Sequence, residues 1–334
     1  MELFDTKLTP ANIRFSYLCP DDNPKPMVIM KRSLMLLGAS LICAALFAQP
    51  YSDREESFTL TRYAGHYMFT ADINGTAPAT IMLESGIPAL LVDSAFAFGS
   101  GCFRDMHLEA SDRSINLGRD KFRISHTANG TVRIGRGTSY RGKIWILSGY
   151  ADHREISIPL QYFYNEADNG SSIMYVDLAG GHLDMYCRDH MNSQELKDWK
   201  VSRINTRTYM DMPAVKTVMT VREGGRDRKL KGNYVIDFGN AEMMALFDHN
   251  KKVQKYLKSN SDMELHDAKT PSGQVIGQLI LSDECTLLGK TIPDAVILIT
   301  RTGSKFTSQG LLGLKFFQAA PVILDFDRRK LYAK

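Results

Sequence analysis

Cysteine is scarce: the chain has five in 334 residues, and only Cys102, Cys187 and Cys285 lie beyond the leader-like segment that starts at Met30. An odd number at wide spacings excludes a disulfide framework and leaves either one bridge or free buried thiols. A surplus of one charge sign is also missing, with 41 Lys plus Arg against 37 Asp plus Glu and no basic run. Nucleic acid is therefore not an expected partner. There is no G-x-S-x-G elbow and no glycine-rich loop ending in Lys, which removes serine-hydrolase and nucleotide-phosphate chemistry. His126, His182 and His190 lack the close, repeated spacing of a metal cluster, so neither metal nor cofactor is expected. Cys187 stands beside Arg188 with His190 near, but sequence neighbours seldom form a nucleophile pair.

No apolar run is long enough to cross a bilayer, which takes about 20 residues in a helix. The longest near the start, Leu34 to Phe47, has 14 and comes just after Met30-Lys31-Arg32. A short apolar run behind a basic start is the pattern of a secretory signal. The reading is a signal peptide over 30–48, cleaved near Ala48, with 1–29 an upstream extension and a periplasmic or secreted product. Cys43 is a poor lipidation site because bulky Ile42 precedes it. No membrane association is expected once the signal is removed.

The chain beyond residue 48 is rich in short runs of Val, Ile, Thr, Tyr and Phe broken by Gly, Asn and Asp, which is an all-β signature. Clear strands are His66–Ile73 before the turn Asn74-Gly75, then 142–147, 234–237, 274–281 and 295–300. Helical spacing of Met244, Phe247, Val253 and Leu257 predicts a helix over 241–257, and Asn192 predicts a capped one over 193–199.

The strand signals repeat. Ala79-Thr80-Ile81-Met82-Leu83-Glu84-Ser85-Gly86 and Gly232-Asn233-Tyr234-Val235-Ile236-Asp237-Phe238-Gly239 are both apolar strands ending in acid-x-Gly. Asp177 comes 93 residues after Glu84 and Asp325 comes 88 after Asp237, and each precedes a Leu by six. Between these landmarks, residues 158–163 match 312–317 in pattern, with Pro159 where the second copy has Gly313. Landmarks in the same order at nearly equal spacing indicate an internal duplication. The expected units are residues 49–200 and 201–334.

The second unit resembles the retropepsin-like aspartic protease family over residues 212–331. Its order is a hairpin turning at Gly224-Gly225, the strand ending in Asp237, Ser272-Gly273-Gln274 as a flap turn, and Gly310-Leu311-Leu312-Gly313 before Phe316-Phe317. The first unit resembles the same plan more faintly, with Asn129-Gly130-Thr131 as its flap turn. The resemblance implies an all-β chain of two pepsin-like lobes, each contributing one carboxylate and one flap. An extended peptide would lie between the lobes of a monomer, because two copies in one chain supply what single-lobed relatives obtain by dimerisation.

Aspartic proteolysis needs two carboxylates close enough to share a proton. The family takes them from an Asp-Thr/Ser-Gly tripeptide in each lobe, whose hydroxyls tie the loops together. Here Glu84 replaces Asp, adding a methylene worth about 1.5 Å of reach, while Ser85 and Gly86 fit. Asp237 and Gly239 fit, but Phe238 has no hydroxyl to give. This leaves two expectations: a working Glu84–Asp237 pair, or an inactive cleft that binds peptide or is plugged by Phe238. The bland alternative makes Glu84 a solvated loop acid and Asp237 a turn residue; Asp177 and Asp325 are read as structural.

Overall fold

A computed structural model describes residues 56–117, 120–150, 154–192, 194–269, 273–300 and 306–334. The upstream extension, the signal peptide and Ser272 of the expected flap turn lie outside the described residues.

The first half runs β1 (Glu56–Thr59), β2 (Thr61–Tyr63), β3 (His66–Ile73), β4 (Ala77–Glu84), β5 (Leu90–Asp93), α1 (Ser94–Gly99), β6 (Glu109–Ala110) and β7 (Ser114–Leu117). It continues with β8 (Asp120–Ile134), β9 (Thr138–Ser148), β10 (Ile156–Pro159), β11 (Phe163–Asn165), β12 (Ile173–Asp177) and β13 (His182–Met185). The second half runs β14 (Lys200–Asn205), β15 (Ala214–Glu223), β16 (Arg226–Ile236), β17 (Met244–Phe247), α2 (Lys251–Ser259), β18 (Leu265–Lys269) and β19 (Val275–Leu287). It ends with β20 (Lys290–Thr300), β21 (Gly310–Leu312), α3 (Leu314–Gln318), β22 (Val322–Asp325) and β23 (Lys330–Ala333).

Each half closes a barrel in the same order. The first pairs β9-β5-β10-β4-β3-β8 and closes β8 on β9; the second pairs β20-β17-β21-β16-β15-β19 and closes β19 on both β20 and β15. The parallel steps agree in detail: Ile158 lies beside Leu83, and Leu312 beside Ile236. These are the residues the repeat equates. Buried on both faces, β5 (Leu90-Leu91-Val92-Asp93) and β17 (Met244-Ala245-Leu246-Phe247) carry no polar alternation. That corrects the helix expected over 241–257. Its apolar spacing is the mark of a central strand followed by a turn, and the helix proper starts after the Asn250 cap, whose side chain accepts from the Lys252 amide. The helix expected over 193–199 is only a 3₁₀ turn at Gln194–Leu196.

The two barrels share an antiparallel floor ordered β1-β13-β12-β22-β23-β14. Its hairpins have matching registers, Val176 opposite Leu183 and Leu324 opposite Leu331. Asp177 and Asp325 have the structural part expected of them: each accepts an amide three residues on, from Gly180 at 2.7 Å and from Arg328 at 2.8 Å. Cys102, Cys187 and Cys285 are free and buried.

Candidate active site

Glu84 ends β4 and Asp237 comes directly after β16, so both acids stand at the same point of equivalent strands. The loops they begin are held from outside. The Asp237 amide donates to Leu312 O at 2.9 Å, and the Gly313 amide to Met243 O at 2.9 Å. At Gly313 a Cβ would stand 2.2 Å from Glu242 O, so only glycine lets β21 press this closely on the loop. In the first half Pro159 lies level with Glu84 at the equivalent place, where it has no amide to donate.

The loops cross. A Cβ on Gly86 would stand 2.6 Å from Asp237 Oδ1, and one on Gly239 would stand 1.9 Å from Glu84 Oε1. Each carboxylate therefore lies over the glycine of the opposite loop. Ser85, fully buried, ties them: its Oγ donates to Ile236 O at 2.8 Å and accepts from the Phe238 amide at 3.1 Å. Phe238 cannot make the reciprocal tie. It points into the core, where it is fully buried and stacks on Phe317 with centroids 4.6 Å apart.

The extra methylene of Glu84 is taken up by curling back on its own loop. Oε2 accepts from the amides of Ser85 at 3.2 Å and Gly86 at 3.4 Å, while Asp237 Oδ1 accepts from the Gly239 amide at 3.0 Å. Burial, and then the charge of Asp237, push the Glu84 carboxyl up to about 8, against the pull of those two amides and of Arg154. Burial raises Asp237 to about 6, against the amides of Gly239 and Asn240. The two carboxyls influence each other, so these steps belong to the pair rather than to either acid alone. Glu84 is buried, unlike the solvated loop acid of the bland alternative, while Asp237, bonded to the Gly239 amide, keeps the turn role that alternative gave it.

A carboxylate whose folded pKa is raised stabilises the fold fully below its unfolded pKa, and that contribution is lost as pH rises through the folded value. For Glu84 the window runs from the ordinary 4.5 to about 8. The melting temperature should accordingly fall between pH 5 and 9, and Glu84→Gln should flatten the fall above pH 6. A scan of Tm against pH for both proteins checks this, and an unchanged slope in the variant would refute it.

Of the two flap glycines, Gly273 lies with φ +84° on the connection between β18 and β19. Gly130 does not lie on a turn. It sits inside β8, opposite Gly142 of β9, with a Cβ position 3.4 Å from Met106 Cε. The Asn129-Gly130 pair has the composition of a hairpin turn, but here glycine makes room for Met106 inside a ladder. The equivalent of the β18–β19 hairpin is β7–β8, where Leu117 faces Asp120.

No motif in the sequence points to the polar group beside Glu84. Arg154 lies with its guanidinium carbon 4.7 Å from the Tyr150 ring centroid, and its charge acts on Glu84, Tyr150 and His66. Extending the β3–β4 register by two pairs beyond Met68–Met82 brings His66 level with Glu84. Cavities of about 470 Å³, lined by Arg141, Gln161 and Tyr164, and about 400 Å³, lined by His249, Asn250 and Phe306, are not lined by either acid. Among the described residues no group of three His, Cys, Asp or Glu is placed to hold a metal ion.

No protein-family model matches the sequence, and no curated protein does. The solved structure of basic 7S globulin from soybean is similar with a TM-score of 0.51 at 10% identity, over 84% of this chain and 95% of that one. An aspartic proteinase from Irpex lacteus covers 84% and 96% at 10% identity with a TM-score of 0.48. The fold is aspartic-proteinase-like. Its two lobes are the two barrels, and Glu84 and Asp237 begin the loops at equivalent positions in each.

Proposed function

We propose that this chain is an exported aspartic peptidase in which Glu84 takes the place of one catalytic aspartate. The observation that carries the reading is the crossing of the two loops, each acid over the other's glycine with Ser85 between them. With one proton on the pair, ionised Asp237 takes a proton from water as its oxygen adds to the scissile carbonyl carbon, and Glu84 gives its proton to the carbonyl oxygen. In the collapse of the gem-diol, Asp237 protonates the leaving nitrogen and a diol hydroxyl returns a proton to Glu84. An extended peptide would run between the β7–β8 and β18–β19 hairpins, hydrogen-bonded through its backbone. The chain would work as a monomer in the periplasm or outside the cell after loss of 30–48, with 49–200 and 201–334 as its lobes.

A second reading, a peptide-binding relative without turnover, is favoured by Phe238, which leaves the loops tied from one side only. Cleavage of a random peptide library between pH 3 and 9, by the parent and by Asp237→Asn, separates them. Activity lost in the variant supports the peptidase; retention of peptide by a folded parent that cleaves nothing supports the binding protein.

The glycines give a second check. In Gly239→Ala the methyl, 1.9 Å from Glu84 Oε1, displaces that carboxylate by more than an ångström, and in Gly86→Ala, 2.6 Å from Asp237 Oδ1, by somewhat less; misplacement of about 1 Å costs about 100-fold in rate. We expect kcat/KM to fall by that order in both variants; activity within a few-fold of the parent would contradict the crossed geometry.

A further inference from the structure

Ser85 ties the two acid loops from the first lobe, and Phe238 has no hydroxyl with which to answer from the second. Behind the loops, another polar link crosses between the lobes. Gln318, the last residue of α3, donates through Nε2 to the Tyr67 hydroxyl of β3 at 3.1 Å. The two residues are 251 positions apart, so only the meeting of the lobes brings them together. Tyr67 is buried and Gln318 half-buried, and a hydrogen bond in such shelter is stronger than one in open water.

Each end of the link is fastened to one of the acids. On the first side β3 pairs with β4, and extending the Met68–Met82 register by one pair sets Tyr67 level with Leu83, the residue before Glu84. On the second side α3 is held to the Asp237 loop twice. Its Leu314 amide donates to Asn240 O at 2.8 Å, and Phe317, next to Gln318, stacks on Phe238 at 4.6 Å. The ring that replaces the missing hydroxyl is therefore packed on the residue beside the donor.

An apolar contact runs alongside. Tyr63 pairs with His66, so the β2–β3 hairpin turns on Ala64 and Gly65 alone, both left-handed at φ 47° and 85°. This tight turn sets Gly65 against the Asp237 loop, where a Cβ would stand 3.6 Å from Ala241 Cβ. Gly65 and Tyr67 thus bracket the end of β3 that meets the second lobe.

We infer that the Tyr67–Gln318 hydrogen bond stands in for the tie that Phe238 cannot make, and that both are positioning residues holding Glu84 and Asp237 in register across the lobes. The inference rests on the proposed peptidase reading for its effect on rate, not for its test. A link set apart from the loop crossing resists rocking of one barrel on the other, which the crossing alone would permit.

The test is the distance between the lobes in the full chain, measured by double electron–electron resonance between spin labels on Thr70→Cys in β3 and Lys255→Cys in α2, both exposed positions. Into this labelled parent go Tyr67→Phe, Gln318→Met, the two together, and Gln318→Glu, whose carboxylate can still accept from the Tyr67 hydroxyl. The distance distribution should broaden in Tyr67→Phe and in Gln318→Met, broaden no further in the double variant, and return to the parental width in Gln318→Glu. Parental width in either single variant would overturn the inference, whether or not Tm falls, because the bond would then serve stability at most. So would further broadening in the double variant, which would make the two contacts independent, or a Gln318→Glu protein as broad as Gln318→Met. The readout needs no turnover: absence of cleavage sinks the peptidase reading alone, and unmoved widths in an active enzyme sink the tie alone. In an active enzyme kcat should also fall about 3–10-fold in both single variants at unchanged KM, short of the roughly 100-fold cost of a 1 Å misplacement, and Gln318→Glu should restore it.

Discussion

Replacing Asp237 with Asn should reduce peptide cleavage by about 10²–10⁴, the range that a positioned general base contributes. Asn fills the same space and can still accept the Gly239 amide through its carbonyl oxygen, so the loop should survive and only the proton acceptor is lost. Glu84→Gln should cost a similar factor for the opposite reason: an amide cannot deliver the proton that the carbonyl oxygen needs. The double variant should be little worse than either single one, because residues that act as a unit are not additive. Single-turnover assays on one peptide, with circular dichroism to confirm folding, check all three. A variant within ten-fold of the parent would remove that acid from the mechanism.

The second large effect is on stability. Phe238 is fully buried, stacked on Phe317, which in turn meets Phe316 edge-on at 5.2 Å. Truncating such a ring to alanine costs about 3–5 kcal/mol, part lost transfer energy and part cavity. At about 2–4 °C per kcal/mol for a chain of this size or somewhat smaller, the Tm of Phe238→Ala should fall on the order of 10 °C. Phe238→Thr supplies the hydroxyl that would tie the loops from the second side, yet it leaves much of the same cavity. It should therefore melt well below the parent while retaining activity. A Phe238→Ala protein as stable as the parent would mean that the ring is not the core plug the structure shows.

The contrast between Ser85 and Phe238 explains how this loop pair can hold together. A single buried hydroxyl both donates and accepts across the crossing, and the position facing it is given to packing instead. The loops keep their register through one polar link and one apolar anchor.

Much of the fold is legible in the sequence because the repeat is written in residues with a geometric duty. The apolar strand ending in acid-x-Gly marks where β4 and β16 leave their barrels, and the segments at Ile158 and Leu312 are the parallel neighbours that buttress them. Asp177 and Asp325 match across the repeat because each must cap a turn of the same length. The floor strand pairing β12–β22 is not legible, since nothing in Val176 or Val322 specifies a partner 146 residues away. Met244–Phe247 misleads because a strand buried on both faces lacks alternation, and its spacing then merges with that of the helix behind it. Gly130 misleads because Asn-Gly is a turn signal only where the ladder stops, and here it runs on to Ile134.

In the site, the two acids and their glycines are readable from motif alone, while Arg154 is not, for its place is set by anchoring through Glu155 and Tyr150 rather than by spacing. His66 does carry a signal. Folding 66–73 back about the Asn74-Gly75 turn brings it level with Glu84.

The measurement that bears most directly on the whole account is the pH–rate profile of kcat/KM on a single cleaved peptide between pH 3 and 10. A shared proton on Glu84 and Asp237 predicts a bell with limbs near 6 and 8, displaced well above the range of ordinary carboxylates. A folded parent with no cleavage at any pH, or a profile with no limb that depends on either acid, would contradict it.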